Sequence, residues 1–290
     1  MLFRSQNASR GEKEQRRRAG VLSEKRLYLS CRTRKILSEY GRRFDYGEEI
    51  LKTFIAGLPA VVQGEGIPFL FLHGYLASKE TFAFQIGFFA RFYKVIAPDM
   101  TGFGENVPMS RPYTLDDYAD EISRVLDEIG SDTVYVLAHS FGARVAVRLL
   151  SRGEKRITKL VLTGAAGMKN RSLFLKAKKG TFRLLSHILP KEKLIGFYSA
   201  DYRGLSPVMQ KSFLSVVNET LDGEYAKIQI PTLLVFGKND RETPLGQAKR
   251  MKKTVKCGKL VVLPDSGHFC FSEKPDRFNG AVLKFLLEGK

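Results

Sequence analysis

The stretch VYVLAHSFGARVAVRLL (134–150) carries an apolar run onto a histidine and a serine, then changes to helical spacing through Phe-Gly-Ala. A fold does not require a hydroxyl at such a junction, so Ser140 is read for its chemistry. A serine hydroxyl is a poor nucleophile until a base takes its proton. The chain has four histidines, His73, His139, His187 and His268. His139 adjoins the serine where the backbone passes from strand to turn, which points its side chain away from the hydroxyl. His187 sits among Leu184, Leu185, Ile188 and Leu189, the setting of a packing or surface histidine, and His73 opens a loop after PFLFL. His268 follows KLVVL through Pro-Asp-Ser-Gly, at an edge from which an imidazole can reach over Ser140, and it is the expected base. Such an imidazole needs a carboxylate that fixes its tautomer and stabilises its cation. PTLLVFGKNDRETP (231–244) supplies Asp240, three residues past the glycine that closes an apolar run, with Glu242 as the alternative. Together these groups would transfer acyl groups, with activity falling as pH drops through the histidine range, around ~6.5.

The residues must be positioned by short apolar runs bounded by Gly, Pro, Asp or Asn: PFLFL (68–72), YKVIAP (93–98), TVYVLA (133–138), TKLVLTG (158–164), PTLLVFG (231–237) and GKLVVLP (258–264). Near-continuous apolarity predicts strands buried on both faces, as in the mostly parallel sheet of an α/β protein. LKTFIAG and PAVVQ predict a hairpin ahead of them. A helix is expected over 114–130, with Thr114 as N-cap, Asp116 and Asp117 in the first turn, and Leu115, Tyr118, Ile122, Val125, Leu126 and Ile129 on one face. Another spans roughly 275–287, burying Phe278, Val282, Phe285 and Leu286. Residues 168–228 show helical spacing and no strand. A connection of that length predicts a helical cap over one edge of the sheet, where α/β proteins place their sites. The expected division is therefore a core of 51–167 and 229–290, a cap of 168–228 and a basic arm of 1–45.

Ala138-His139-Ser140-Phe141-Gly142, at a switch from strand to helix, resembles the nucleophile elbow of the alpha/beta hydrolase superfamily. The elbow needs small residues two before and two after the serine, because the turning backbone passes close to them. Gly142 fits, and Ala138 replaces the more usual glycine with one methyl group more. The order Ser140, Asp240, His268 is also that of the family. FLFLHGYLASKETF (69–82) is similar to its oxyanion loop, in which His73 and Gly74 set the turn. That resemblance implies the backbone N–H groups of Tyr75 and Phe141 as oxyanion donors, and Tyr75's side chain is separately a candidate pocket wall. VIAPDMTGFGENVP (95–108) looks like the family's D-x-x-G-x-G loop, with Asp99, Gly102 and Gly104 as turn residues; it lacks the lysine of a Walker loop and the acidic residue of a dinucleotide fold. The resemblance covers about residues 51–290. It implies attack on a carbonyl: a carboxylic ester first, then a thioester, an amide, a lipid ester or a carbon–carbon bond of aromatic catabolism. Serine at the elbow argues against the alkyl-enzyme chemistry of haloalkane dehalogenases and epoxide hydrolases, which carry aspartate there. A reading from another class is a small-ligand signalling receptor on the same scaffold.

Composition sets the remaining bounds. A hydrophobic content of 43% and a charged content of 27% suit a globular chain with a sizeable core. No apolar run is long enough to span a bilayer, and the N-terminus lacks the apolar stretch of a secretory signal. Cys31, Cys257 and Cys270 are odd in number and far apart, which predicts reduced thiols and a cytoplasmic address. No metal or cofactor is expected, and the partner is a small acyl substrate. The net charge of +18 is spread along the chain and comes with no nucleic-acid motif, so it reads as a solvated surface. Residues 168–193 hold eight Lys/Arg against one Glu, a face suited to a carboxylate- or phosphate-bearing acyl group or an anionic lipid surface, and equally to plain solvation. Phe174, Phe182, Phe197, Tyr198 and Tyr202 would line an apolar slot or pack helices. The arm of 1–45, with its run RRR (16–18), reads as a mobile segment, a loosely held helix or the product of a start codon placed too far upstream.

Overall fold

The computed structural model describes residues 52–169, 202 and 204–288, so the basic arm, His187 and four of the five cap aromatics lie outside the described residues. Eight strands form one sheet: β1 (Lys52–Ile55), β2 (Leu58–Gln63), β3 (Pro68–Leu72), β4 (Lys94–Pro98), β5 (Val134–His139), β6 (Ile157–Thr163), β7 (Thr232–Gly237) and β8 (Gly258–Leu263). Their spatial order is β1-β2-β4-β3-β5-β6-β7-β8. The β1–β2 hairpin adds to β4 antiparallel, and every later pairing is parallel.

Period-two alternation divides the strand side chains between two cores. Leu70 and Leu72 of β3, Val136 and Ala138 of β5 and Leu234 and Phe236 of β7 face one side. Phe69 and Phe71, Tyr135 and Leu137, and Leu233 and Val235 face the other. Both sets are buried, which is why these strands read as unbroken apolar runs. The first face is covered by α2 (Leu115–Ile129), α3 (Phe141–Ser151) and α6 (Leu245–Thr254). The second is covered by α1 (Ala83–Phe89), the single turn α7 (Cys270–Glu273) and α8 (Pro275–Leu287). Helix α2 starts as its sequence dictates: the Thr114 hydroxyl accepts from Asp117 N at 3.2 Å, and Asp117 Oδ2 accepts from Thr114 N at 2.7 Å.

Between β6 and β7 the described residues form no strand but two helices, α4 (Pro207–Asn218) and α5 (Asp222–Lys227). Helix α4 is tied to the core at three places. Met209 O accepts from the Tyr75 hydroxyl, Ser212 Oγ accepts from Tyr113 N, and Arg144 donates to Val216 O and Glu219 O. No helix among the described residues is long and apolar enough to cross a membrane.

Candidate active site

The chain leaves β3 toward β4 on one side and leaves the adjacent β5 toward β6 on the other, and a crevice opens at the carboxyl ends of strands at such a switch. Ser140 stands there, between β5 and α3. Its backbone has φ +50° and ψ −103°, a conformation that non-glycine residues rarely adopt and that persists only when the surroundings enforce it. The enforcement is visible: Ser140 N donates to Thr163 O at 3.1 Å, and Ser140 O accepts from Ala166 N at 3.3 Å. Two residues on, a Cβ at Gly142 would fall 2.3 Å from Leu72 O, so no side chain fits at this second position of α3. A Cβ at Gly74 would lie 3.6 Å from Ser140 Cβ, which sets the loop after β3 directly beside the serine.

The loops after β7 and β8 bring Asp240 and His268 together, 28 residues apart in sequence. Asn239 N donates to Ser266 O at 2.9 Å, which fastens one loop to the other. His268 Nδ1 then lies 2.9 Å from Asp240 Oδ2, with both side chains buried. The other carboxylate oxygen accepts from Glu242 N and Thr243 N at 2.9 Å each, and the Thr243 hydroxyl donates to Oδ2 at 2.7 Å. Burial alone would raise the Asp240 pKa, but the His268 bond and charge and the Thr243 bonds outweigh it and hold the group below the ordinary carboxylate range. An ionised Asp240 accepts the Nδ1–H and leaves Nε2 as the nitrogen available for proton transfer. The imidazole itself lies against Gly164 at the end of β6: a Cβ at that position, where φ is +51°, would meet His268 Cε1 and Nδ1 at 3.0 Å. His268 thus reaches back from β8 across β7 to the strand beside Ser140.

Glu242, the alternative carboxylate, is half-exposed and meets the opposite nitrogen: its Oε2 lies 3.2 Å from His268 Nε2.

The other two described histidines are buried and serve different ends. His73 Nε2 accepts from Met100 N at 3.1 Å while Nδ1 donates to its neighbour Gly74's carbonyl at 2.8 Å, which fixes the tautomer and shapes the loop. Burial lowers its pKa. His139 donates from Nδ1 to Thr163 O at 3.1 Å, and its ring centroid lies 4.7 Å from that of His268. Its pKa is pushed well below the ordinary value, by burial first and then by His268. The position of His139 next to Ser140 in the chain does not by itself imply this ring contact.

Tyr75 and Phe141, the expected oxyanion donors, are neighbours with ring centroids 5.3 Å apart, and Phe103 and Phe213 complete an aromatic cluster around Tyr75. Tyr202 packs on Phe213 of α4. Asp99 is a buried turn residue: Lys79 N and Nζ and Glu105 N donate to its carboxylate at 2.8, 2.6 and 2.8 Å. The buried Lys79, which ties this turn to the loop beside Ser140, was not singled out from sequence; a lysine in LASKETF looks like any surface lysine.

A strained serine at a strand-to-helix turn, above a parallel sheet with this strand order, defines a class, and the chain belongs to the alpha/beta hydrolase family, whose model matches residues 69–281. Among curated proteins it is 28% identical to a 2-hydroxymuconate semialdehyde hydrolase of Pseudomonas putida, over 78% of this chain and 89% of that protein. It is 25% identical to Lipase 1 of Psychrobacter immobilis, over 78% of this chain and 79% of that one. Among solved structures, a meta-cleavage product hydrolase from Pseudomonas fluorescens IP01 superposes with a TM-score of 0.62 at 24% identity, covering 81% of this chain and 97% of that chain.

Proposed function

We propose that the protein is a serine hydrolase that cleaves a carbonyl substrate, a carboxylic ester first of all, through a covalent acyl intermediate on Ser140. The observation that carries this reading is the strained Ser140 backbone at the crevice, with the buried Asp240–His268 pair on neighbouring strand ends. In the first half-reaction His268 Nε2 takes the Ser140 hydroxyl proton as Oγ attacks the carbonyl carbon, and Asp240 stabilises the imidazolium. The backbone N–H groups of Tyr75 and Phe141 receive the negative charge on the carbonyl oxygen. Collapse breaks the bond to the leaving group, which departs with the Nε2 proton. Water repeats the sequence and frees the acid. The helices over the crevice act as a lid that shapes the substrate slot.

A second reading, hydrolysis of a carbon–carbon bond beside a ketone, is favoured by the likeness to the 2-hydroxymuconate semialdehyde hydrolase. Labelling with a fluorophosphonate, located by mass spectrometry, tests the common core. The label is expected on Ser140 and absent from Ser140→Ala; labelling that survives in the variant overturns the assignment. Aryl esters of increasing acyl length, run beside a 2-hydroxy-6-oxo-dienoate, separate the two readings, since only the preferred class should turn over near ~10 per second. Turnover below about one per minute on every substrate, together with tight ligand-dependent capture of a protein partner, would point to a receptor instead.

A further inference from the structure

The loop after β3, residues 73–78, runs beside the serine: a Cβ at Gly74 would lie 3.6 Å from Ser140 Cβ. It carries Tyr75, and the next residue is strained, since Leu76 has φ +57°. A non-glycine residue keeps such an angle only where its surroundings enforce it. The loop supplies one bond of its own, from Ala77 N to Gly74 O at 3.2 Å. Further support comes from the turn at 99–106. At the loop's entry Met100 N donates to His73 Nε2, and the Phe103 ring packs on His73 and Tyr75 with centroids 5.5 and 4.8 Å away. At its exit Lys79 grips the same turn twice, N donating to Asp99 Oδ1 at 2.8 Å and Nζ to Oδ2 at 2.6 Å. The two side chains of this pair are 3% and 0% exposed. The turn wraps the carboxylate so closely that a Cβ at Gly104 would fall 2.2 Å from Asp99 Cγ. Glu80 and Glu105, from more exposed positions, place carboxylates 3.1 and 3.2 Å from Nζ. Burial alone would lower the Lys79 pKa, but the charges of Asp99 and Glu80 and their hydrogen bonds outweigh it and raise it, so the ammonium is kept.

We infer that Lys79 is a positioning residue for the oxyanion hole: its buried pair with Asp99 clamps the strained loop that presents the backbone N–H of Tyr75. This rests on the reading of Ser140 as nucleophile and of the Tyr75 and Phe141 N–H groups as the donors to its oxyanion. Apolar side chains of similar size could fill the same space without loss of stability. What the ion pair adds is direction, because its two hydrogen bonds fix where residue 79 sits against the turn. The loop is thereby held at both ends, by β3 and His73 at the entry and by Lys79 at the exit. Such a donor stabilises charge only if it is in place before the charge develops. A loop free at its exit would let Leu76 relax and carry the Tyr75 N–H away from the carbonyl oxygen, with Ser140, Asp240 and His268 left as they are.

The test compares full-length wild type with Lys79→Met, which keeps the apolar stem and removes the ammonium. With nitrophenyl acetate as substrate, kcat should fall about 10- to 100-fold, the cost of a displaced oxyanion donor. KM should stay within about threefold of wild type, since the interaction is made only in the transition state. Trifluoroacetophenone, which takes the Ser140 oxygen into a charged tetrahedral adduct, should bind more weakly by the same factor as kcat. The rate of fluorophosphonate labelling at Ser140 should fall in step, and it serves where ester turnover is too slow to follow. A kcat or labelling loss below about threefold, a loss carried by KM, or an unchanged ketone affinity overturns the assignment. Should Lys79→Met fail to fold, Lys79→Gln, which keeps a donor for Asp99 without the charge, is judged by the same criteria. If wild type itself does not label at Ser140, the reading of the nucleophile fails, and the clamp is judged by amide hydrogen exchange. The variant should then exchange faster over 73–79 and unchanged over 134–150, as a local opening requires. Equal exchange over 73–79 overturns the clamp.

Discussion

A Cβ at position 142 would sit 2.3 Å from Leu72 O and 2.8 Å from His73 O, backbone atoms of a central strand and its exit that cannot step aside. Gly142→Ala is therefore expected to lose at least about 3 kcal/mol of stability in urea melts, by overpacking at a rigid contact. Gly164→Ala fails differently. Its methyl group would press on the His268 ring at 3.0 Å, at a backbone angle that side chains resist. The expected result is a chain that folds but labels more slowly at Ser140, because the imidazole is pushed off the serine's side of the crevice. Asp240→Asn keeps the shape while removing the charge and the tautomer control. A fall in kcat on the order of 10⁴-fold is expected in steady-state assays with Thr243 and the fold intact. A fall of less than tenfold would mean that Asp240 serves the loop and not the imidazole.

At the scale of elements, α4 is the helix between β6 and β7 that is tied to the segments beside Ser140. Arg144, one turn past Ser140 on α3, is 8% exposed and donates to Val216 O at 2.9 Å and Glu219 O at 2.8 Å, closing the carboxyl end of α4. The same helix holds Tyr75 through Met209 O and Phe213. Arg144→Met leaves those carbonyls without their donor, a loss of about 1–3 kcal/mol, and frees α4 to shift over the crevice. The expected signature is a lower melting temperature with KM raised several-fold and kcat less affected. The central strands were legible in sequence because both faces are buried. GKLVVLP was read the same way, but as the edge strand β8 it is mostly half-buried or exposed. The Thr114 cap was legible because its partner is three residues away. Arg144 and Lys79 were not legible. Each is a cation that the chain buries against groups brought in from distant segments, α4 in one case and the turn at Asp99 in the other, and nothing local distinguishes it from a solvated residue. Ser140, Asp240 and His268 follow the ends of β5, β7 and β8 in sequence, so the strand order also sets which loops carry them. Glu242 was visible only as a spare carboxylate, since its contact depends on side-chain direction and not on strand order.

For the whole molecule, the buried histidines couple folding to pH. His73 and His139 both have folded pKa values lowered below the ordinary 6.5, the second strongly, and the first cause in each is burial. Below about pH 6.5 the unfolded chain binds protons at these rings while the folded chain does not, so stability is fully present above that pH and is lost on acidification until the folded values are reached. Each ring contributes a slope of up to about 1.4 kcal/mol per pH unit. Glu121 opposes this: burial raises its pKa despite two bonds from Thr101, so protonation there favours the folded state on acidification, beginning above its ordinary value of 4.5. The net charge of +18 at neutral pH only grows as acid is added, and self-repulsion then works with the histidines. Urea melts at about pH 7.5, 6 and 5 should show falling stability, and His139→Asn, which retains a donor for Thr163 O, should flatten that fall. An unchanged slope would mean that the His139 ring takes up its proton in the folded protein as readily as in the unfolded chain, against the dry packing between His268 and Phe271 that surrounds it.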